Sequence, residues 1–333
     1  MKTSRRSFML KTAAAPLILT GPARSRAAAN ERINVGMIGM GNQGMNDIRN
    51  FLADERVQVV AICDVNRESP GYWANKPGGY EVGRRLVERT YAQQNKAGAF
   101  KGCDTMTDFR EMLARPDIDA VEVVTPDHWH GIMVTEAAAA GKDIYAQKPL
   151  SLTIPQGRAM SDAVRRYARV CQVGTQRRSD AACRRGCELV RNGRIGRLVQ
   201  VECGLPRGTP DYVGKGTGNR WKPEPVPDGF DYRRWLGPAP DAPYAPARCH
   251  VNFRWILDYS GGQVTDFGAH FVDIAQWGMG TETTGPVKIQ NARGTWADHP
   301  LWNTASSFYF ECIYANGVKL VVADHHQVRI GVT

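Results

Sequence analysis

A glycine-rich turn between an apolar run and a helical pattern constrains the fold of this chain more than any other feature. Residues 33–38 alternate apolar and small side chains, as a short buried strand does, and residues 45–52 have helical spacing. The turn between them reads G-x-G-x-x-G, with Gly39, Gly41 and Gly44 at the fixed positions. Such glycines let the backbone approach a pyrophosphate held at the helix N-terminus. The pattern predicts a dinucleotide-binding Rossmann domain in an α/β protein.

A carboxylate follows the second apolar strand at the spacing that such a domain uses. Residues 57–63 are a β-rich run, and Asp64 comes directly after them, twenty residues beyond Gly44. A carboxylate there accepts hydrogen bonds from both hydroxyls of an adenosine ribose and repels a 2′-phosphate. The sequence therefore favours NAD over NADP, although Arg67 nearby leaves NADP open.

Two further turns in the first half are candidate ligand sites. Thr125 and Pro126 follow an apolar strand at 119–124, at the edge where open α/β sheets bind ligands. Lys148 follows a strand at 143–146, and the next residue, a proline, biases it towards an extended conformation that directs its ammonium group. Taken alone, this lysine reads as an ordinary solvated residue, but the neighbouring motifs favour chemistry.

The two histidines after Pro126 receive different expectations. His130 is a candidate for ligand binding, whereas His128 is expected to be a turn residue without chemistry. A helix is expected at 131–140. Residues 67–102 form a polar insertion with one helix at 80–96 and no predicted role beyond the surface.

One helix in the second half carries an acid–base pattern. Asp266, His270 and Asp273 are spaced i, i+4 and i+7, so a continuous helix places all three on one face. A carboxylate one turn from an imidazole is suited to orient it for general acid–base work. A satisfied buried histidine is the alternative.

The remaining pattern of the second half predicts a helix-and-sheet domain. Expected helices lie at 152–167 and 181–192, and expected strands at 170–174, 198–203, 287–292, 306–314 and 318–323, the last three suiting an antiparallel sheet. Residues 204–250 are irregular and aromatic, which is usual for a functional or loosely ordered segment. Its rings either stack on sugars or fix the loop to the body, with neither alternative favoured: Trp221, Tyr232, Trp235 and Tyr244.

Length, charge and cysteine content exclude several classes. The 333 residues suffice for about two domains. Six basic and no acidic residues lie in 1–29, and the remaining 37 basic and 33 acidic residues leave +4, which argues against a nucleic-acid partner. The sequence contains no uninterrupted run of about eighteen apolar residues, so a membrane span is not expected. The eight cysteines form no C-x-x-C pair, so no structural metal is expected, and disulfides are left open.

The N-terminus carries an export pattern. Residues 4–9, Ser-Arg-Arg-Ser-Phe-Met, resemble a twin-arginine signal, followed by a mild apolar run at 12–20 and small residues at 27–29. The pattern predicts passage through the twin-arginine machinery, removal of residues 1–29 and a periplasmic location. A basic, alanine-rich tail is the alternative.

The order of these motifs resembles the Gfo/Idh/MocA family of nicotinamide-dependent sugar and polyol oxidoreductases, over about residues 32–330. The resemblance implies a Rossmann domain at 30–150 and an α+β domain with an open, mostly antiparallel sheet at 151–333. That family usually has Glu-Lys-Pro where this chain has Gln147, Lys148 and Pro149. Its members usually continue past Thr333, so a short second domain is expected. The exported branch is resembled at residues 235–238 and at the twin arginines.

The resemblance also implies roles for individual residues. His270, oriented by Asp266, takes a hydroxyl proton as hydride leaves carbon, while Lys148 stabilises charge on oxygen. The residues expected to hold the cofactor are Gly39, Gly41, Asn42, Gln43, Gly44, Asp64, Thr125, Pro126, His130, Gln147 and Lys148. Those expected to hold a carbohydrate substrate are Lys148, Gln176, Arg177, Asp266 and His270.

Three functions are compatible with these expectations. The first is oxidation of a secondary hydroxyl of a sugar, glycoside or polyol; the second is a redox-neutral NAD-dependent glycosidase; the third is a relative that binds nucleotide or sugar without turnover. Because the periplasm lacks free NAD, an exported enzyme must keep its NAD tightly bound. A homo-oligomer formed through the second sheet is also implied by the resemblance.

Overall fold

The computed structural model describes residues 32–70, 72, 76–95, 98–208 and 220–328. The expected export signal at 1–29 lies outside these residues. The elements of the described part form two sheets in succession.

The first sheet is parallel and has six strands in the order β3-β2-β1-β4-β5-β6. The strands are β1 (Ile33–Ile38), β2 (Val57–Cys63), β3 (Asp104–Met106), β4 (Ala120–Val123), β5 (Asp143–Ala146) and β6 (Cys171–Val173). Their side chains are mostly apolar because helices cover both faces of the sheet. The strand order reverses between β1 and β4, so the turns after these strands meet at one switch point.

Five helices accompany this sheet: α1 (Asn42–Ala53), α2 (Tyr80–Asn95), α3 (Phe109–Leu113), α4 (Asp127–Ala139) and α5 (Ile154–Arg166). Helix α4 begins four residues before the predicted start at 131, because Pro126 is its N-cap and the acidic Asp127 suits its first turn. Helix α5 begins after a capping box in which Thr153 and Gln156 exchange hydrogen bonds.

The second sheet confirms the predicted fold class. Its strands are β7 (Gln200–Leu205), β8 (Lys288–Trp296), β9 (Ala305–Ile313) and β10 (Lys319–Asp324), in the order β7-β10-β9-β8. Strand β10 pairs with β9 antiparallel and with β7 parallel, and β8 pairs with β9 antiparallel. Helix α6 (Ala181–Arg191) packs beside the last helix of the described residues, and that last helix lies against β7 of this sheet.

The helix predicted to carry Asp266 and His270 is two segments. Helix α8 (Gln263–Asp266) ends at the acid, and α9 (Gly268–Met279) carries the histidine. The His270 N–H donates to the Phe267 carbonyl, three residues back, so the helix tightens to a 3₁₀-type bond at the junction. Phe267 keeps helical dihedral angles, and the interruption is therefore local.

The aromatic stretch is fixed to the body of the protein. Helix α7 (Tyr232–Leu236) and two 3₁₀ segments (Pro246–Arg248 and His250–Trp255) bring its rings into a buried cluster. Three of the four predicted rings belong to that cluster together with further aromatic side chains: Tyr232, Trp235, Tyr244, Trp255, Tyr259 and Trp302. Trp221 is 38% exposed. The structure thus favours the fixing role for these three rings.

All eight cysteines lie in the described part of the chain and carry free thiols. Within the described ranges, no helix combines the length and apolar character needed to cross a membrane. The same residues contain no group of three or more histidine, cysteine or carboxylate side chains arranged to hold a metal ion.

Candidate active site

A cavity of about 260 Å³ lies at the switch point of the first sheet, closed from the other side by the second half of the chain. The turns after β1, β2, β4 and β5 form one wall, and the segment at 250–254 with Ser260 and Asp266 forms the opposite wall. The structure brings ten of the predicted residues to it: Gly39, Gly41, Asn42, Gln43, Asp64, Thr125, Pro126, Gln147, Lys148 and Asp266.

Five predicted residues do not line the cavity. Gly44 and His130 are buried behind its wall. Gln176 and Arg177 lie in an exposed 3₁₀ segment (Gln176–Ser179). His270 is half-buried and lies close enough to Lys148 to feel its charge.

The glycine turn fits a dinucleotide. Gly39 has a φ of +101°, and a β-carbon there would lie 2.6 Å from the Val124 carbonyl oxygen. Gly41 is the N-cap of α1 and has no side chain to occupy the N–H groups of the first turn. Those N–H groups are the donors that a pyrophosphate needs. A β-carbon on Gly44 would overlap the Gly39 carbonyl, so this glycine permits the turn to pack on the helix.

Asp64 is held at the end of β2. Its Oδ2 accepts the Met40 N–H at 2.5 Å and its Oδ1 accepts the Asn66 N–H at 2.8 Å. Burial raises the pKa of Asp64 to about 6, so the carboxylate is mostly ionised at pH 7.5. Each oxygen retains a lone pair for a ribose hydroxyl, which fits NAD.

Lys148 and Asp266 form the central ion pair of the site. The Lys148 ammonium donates to Asp266 Oδ1, and Arg254 Nη1 donates to Oδ2 at 2.9 Å. Asp266 is only 5% exposed, and burial alone would raise its pKa. The charges of Arg254 and Lys148 outweigh burial and hold the pKa of Asp266 below its ordinary value. Both carboxylate oxygens of Asp266 thus bond to cations, and none of their described hydrogen bonds goes to the imidazole of His270, so the expected orientation of His270 by Asp266 stays a prediction.

His270 is a neutral imidazole at pH 7. Burial and the positive charge of Lys148 lower its pKa to about 4. Its Nδ1 is buried and has no hydrogen-bond partner among the described residues. Asp273, expected on the same helical face, instead accepts two bonds from Arg178 at 2.7 and 2.8 Å.

The two histidines of α4 are structural. His130 has its ring nitrogens 2.8 Å from the Thr125 carbonyl oxygen and 2.7 Å from that of Pro149, so its ring joins two turns of the site. His128 packs among aromatic rings, with Nε2 3.1 Å from the Trp235 carbonyl oxygen. Burial lowers the pKa of both histidines.

Gln147, which replaces the glutamate of the resembled family, is part of a buried polar network. Its Nε2 donates to Asp47 at 2.7 Å, and its Oε1 accepts the Lys148 N–H at 3.2 Å. Gln43 donates to the other oxygen of Asp47 at 2.8 Å. Glu122 is fully buried nearby, where burial and the charge of Asp47 raise its pKa well above its ordinary value. An amide at 147 satisfies Asp47 without adding charge.

We expect Gln147→Glu to destabilise the protein in a pH-dependent way. A third carboxyl beside Asp47 and Glu122 takes a raised pKa, so the variant's stability falls relative to the parent as pH rises. The loss should reach about 1–3 kcal/mol at pH 8 and shrink at pH 5.5. Urea unfolding at both pH values measures it. Gln147→Met loses the hydrogen bond to Asp47 but adds no acid, so its deficit should depend on pH less steeply than that of Gln147→Glu. Equal pH dependence in the two variants would contradict the prediction.

Several site residues were missed by sequence analysis. Asp127, Arg254 and Ser260 line the cavity, and the carboxyl of Asp127 at a strand's end was the one available signal. Tyr72 also lines the cavity and packs on His250, with ring centroids 4.4 Å apart. The prediction that 67–102 is only a surface element is wrong, because Tyr72 is buried against the glycine turn.

Comparison with known proteins gives matches over both halves. Residues 33–175 match the Gfo/Idh/MocA profile described as an oxidoreductase family NAD-binding Rossmann fold. Residues 180–328 match the profile described as the C-terminal alpha/beta domain of that oxidoreductase family. The two matches are consecutive and together cover most of the chain.

Individual relatives differ in chemistry. The chain is 41% identical over 174 residues to scyllo-inositol 2-dehydrogenase (NAD(+)) of Bacillus subtilis, which is 52% of this chain and 39% of that protein. It is 29% identical over 173 residues to an alpha-N-acetylgalactosaminidase of Shewanella oneidensis, 52% of this chain and 34% of the relative. The match thus spans under half of either relative.

Solved structures share the fold. The WlbA dehydrogenase from Bordetella pertussis, solved with NADH and UDP-GlcNAcA, superposes with a TM-score of 0.60 at 17% identity, covering 92% of this chain and 70% of that one. With both halves matched in order, the chain belongs to the Gfo/Idh/MocA oxidoreductase family, and its first half is that family's NAD-binding Rossmann domain.

Proposed function

We propose that this protein oxidises a secondary hydroxyl of a sugar, glycoside or polyol by transferring hydride to tightly bound NAD. One observation carries the proposal: Lys148, fixed by a buried acid, opens into the same cavity as the glycine turn and Asp64. A cation beside a nicotinamide site stabilises the charge that develops on oxygen as hydride departs.

The residues divide the work as follows. The glycine turn and Asp64 would hold the dinucleotide, and Thr125 with Pro126 line the same cavity at the switch point of the sheet. When bound, the nicotinamide supplies the hydride acceptor. Lys148 orients the substrate oxygen, while Asp266 and Arg254 keep the ammonium group in place. The family resemblance implies His270, which lies beside Lys148, as the acceptor of the hydroxyl proton.

A redox-neutral glycosidase is the second candidate. The similarity to an alpha-N-acetylgalactosaminidase favours it, alongside the similarity to an inositol dehydrogenase. In that route oxidation activates a glycoside for elimination of its aglycone, and the hydride returns after water adds. Both routes begin with the same hydride transfer in the same cavity.

Export and self-association complete the proposal. The twin-arginine pattern supports a periplasmic protein that carries its NAD with it, since no free NAD is present there to replace a spent cofactor. Exposed side chains on β8, with Ile289 at 61% and Trp296 at 62% exposure, support a homo-oligomer formed through the second sheet.

The test combines two signals on one sample. Protein loaded with NAD receives scyllo-inositol, other polyols and a panel of 4-nitrophenyl glycosides, and absorbance follows reduced nicotinamide and nitrophenol together. Stoichiometric reduction that stalls until an acceptor sugar is added is the expected result. Nitrophenol release over many turnovers without lasting reduction would favour the glycosidase. The absence of both signals from NAD-loaded protein would contradict both candidate functions.

A further inference from the structure

We propose that Asp127 is a catalytic residue of this cavity, the carboxylate that takes the proton of the substrate hydroxyl and later returns it. The inference rests on the proposed function. It concerns a side chain to which the family resemblance gives no role.

The position of Asp127 supports the proposal. It is the first residue of α4, only 3% exposed, and it lines the cavity beside the Thr125 turn. Ser260, from the opposite wall, donates its hydroxyl to Asp127 Oδ2 at 2.5 Å. Among the described residues nothing donates to Oδ1. One oxygen is thus fixed by the second half of the chain, and the other is left for a ligand in the cavity.

The charges around Asp127 suit reversible proton transfer. Burial raises its pKa to about 7, with Asp266 adding to the rise, while Ser260, Lys148 and Arg254 lower it. A group that titrates near the working pH can both accept and donate a proton. Enzymes that return their hydride within one cycle need both directions.

His270 is less suited to this step. It does not line the cavity, and with a pKa of about 4 only about one imidazole in a thousand is protonated at pH 7. An imidazole held neutral so firmly is a weak acceptor and, for the return step, a rarely charged donor. Burial thus lowers the pKa of His270 away from neutral pH and raises that of Asp127 towards it, which favours Asp127 as the group that exchanges the proton.

The proposed step balances as follows. The O–H bond breaks and its proton goes to Asp127 Oδ1, while the C–H bond breaks and its hydride goes to oxidised nicotinamide. The carbon–oxygen single bond becomes a carbonyl whose oxygen is bonded by Lys148. Reduction reverses each transfer, and Asp127 returns to the carboxylate.

The first test needs neither substrate nor NAD. Infrared difference spectra of the nucleotide-free protein between pH 5 and 9 should contain a carboxyl band titrating near pH 7 that is absent in Asp127→Asn. In Ser260→Ala the midpoint of that band should move upward, because the lost hydrogen bond favours the carboxylate. A difference between parent and Asp127→Asn confined to pH below 5 would overturn the proposal.

Folding of the variant is checked by its melting temperature at pH 8. A protein with a buried acid whose folded pKa lies above its unfolded value loses stability as pH rises. The Asp127→Asn variant should therefore melt at or above the parental temperature at pH 8. A lower melting temperature there would contradict the buried carboxylate that the proposal needs.

The second test compares two matched variants in single-turnover hydride transfer, with whichever polyol or 4-nitrophenyl glycoside reduces the parental protein's NAD. Asp127→Asn should lose about 10²- to 10⁴-fold and its rate should no longer rise through pH 7. His270→Gln should lose less and keep that rise. The opposite ranking would overturn the proposal, as would an unchanged pH profile in Asp127→Asn. No hydride transfer by the parental protein would instead overturn the proposed function and this inference with it.

Discussion

Lys148→Met is expected to bind NAD normally and to transfer hydride roughly 10³-fold more slowly than the parental protein. The ammonium group is a cation that lines the cavity, and methionine fills a similar volume without charge or donor. Asp266 retains Arg254 after the change, so the variant should lose only about 1–3 kcal/mol of stability, less than a fully stranded buried charge would cause.

Lys142→Met is the matched control. Lys142 is also buried, but its ammonium group donates to the carbonyls of Arg115 and Ile118, away from the cavity. This variant should lose stability and retain hydride transfer. Single-turnover absorbance at saturating NAD, with nucleotide affinity from nicotinamide fluorescence, separates the two effects. Parental rates in Lys148→Met would remove the lysine from the mechanism.

Gly44→Ala should have the second largest effect, on nucleotide affinity and on folding together. The added methyl group would overlap the Gly39 carbonyl oxygen and lie 3.1 Å from Val124 Cγ1, and a backbone oxygen cannot move aside as a flexible side chain can. The turn that holds the pyrophosphate must shift. We expect a loss of roughly 2–3 kcal/mol in unfolding free energy and more than tenfold in affinity for NADH.

Gly186→Ala tests whether the effect belongs to the site. Gly186 is exposed in α6, and a β-carbon there would meet nothing within 4 Å. Alanine in a helix interior should stabilise the protein by about 0.5–1 kcal/mol. Urea unfolding and NADH fluorescence titration measure both variants. Tight NADH binding by a stable Gly44→Ala protein would show that close packing beneath the turn is unnecessary.

Local patterns in the sequence were enough for much of the first half. The strand at 57–63 has the predicted bounds, and Asp64 reaches the cavity as its position after that strand requires. These features depend on residues close in sequence, where periodicity and turn chemistry act. Strand β3 and helix α3 were missed because three and five residues are too few for a period to show.

Contacts between distant residues could not be predicted in the same way. The i, i+4 spacing of Asp266 and His270 suggested a bond between neighbours, but Lys148 is 118 residues from the acid and still forms its bond. Which side chain bonds to Asp266 is decided by how the two halves of the chain pack together. The burial of Asp127 and the nearness of Ser260, 133 residues away, depend on that packing too.

The pairing of Lys148 with Asp266 also limits how this protein can be recombined with its relatives. Two key bonds join the halves, Lys148 to Asp266 and Ser260 to Asp127, while Arg254, which also bonds Asp266, comes from the second half together with that acid. A chimera that joins one protein's nucleotide domain to another's second domain keeps a working centre only if the donor supplies an acid, a guanidinium and a hydroxyl in register. If the proposed function holds, we expect substrate preference and hydride chemistry to be inherited as a unit rather than exchanged one domain at a time.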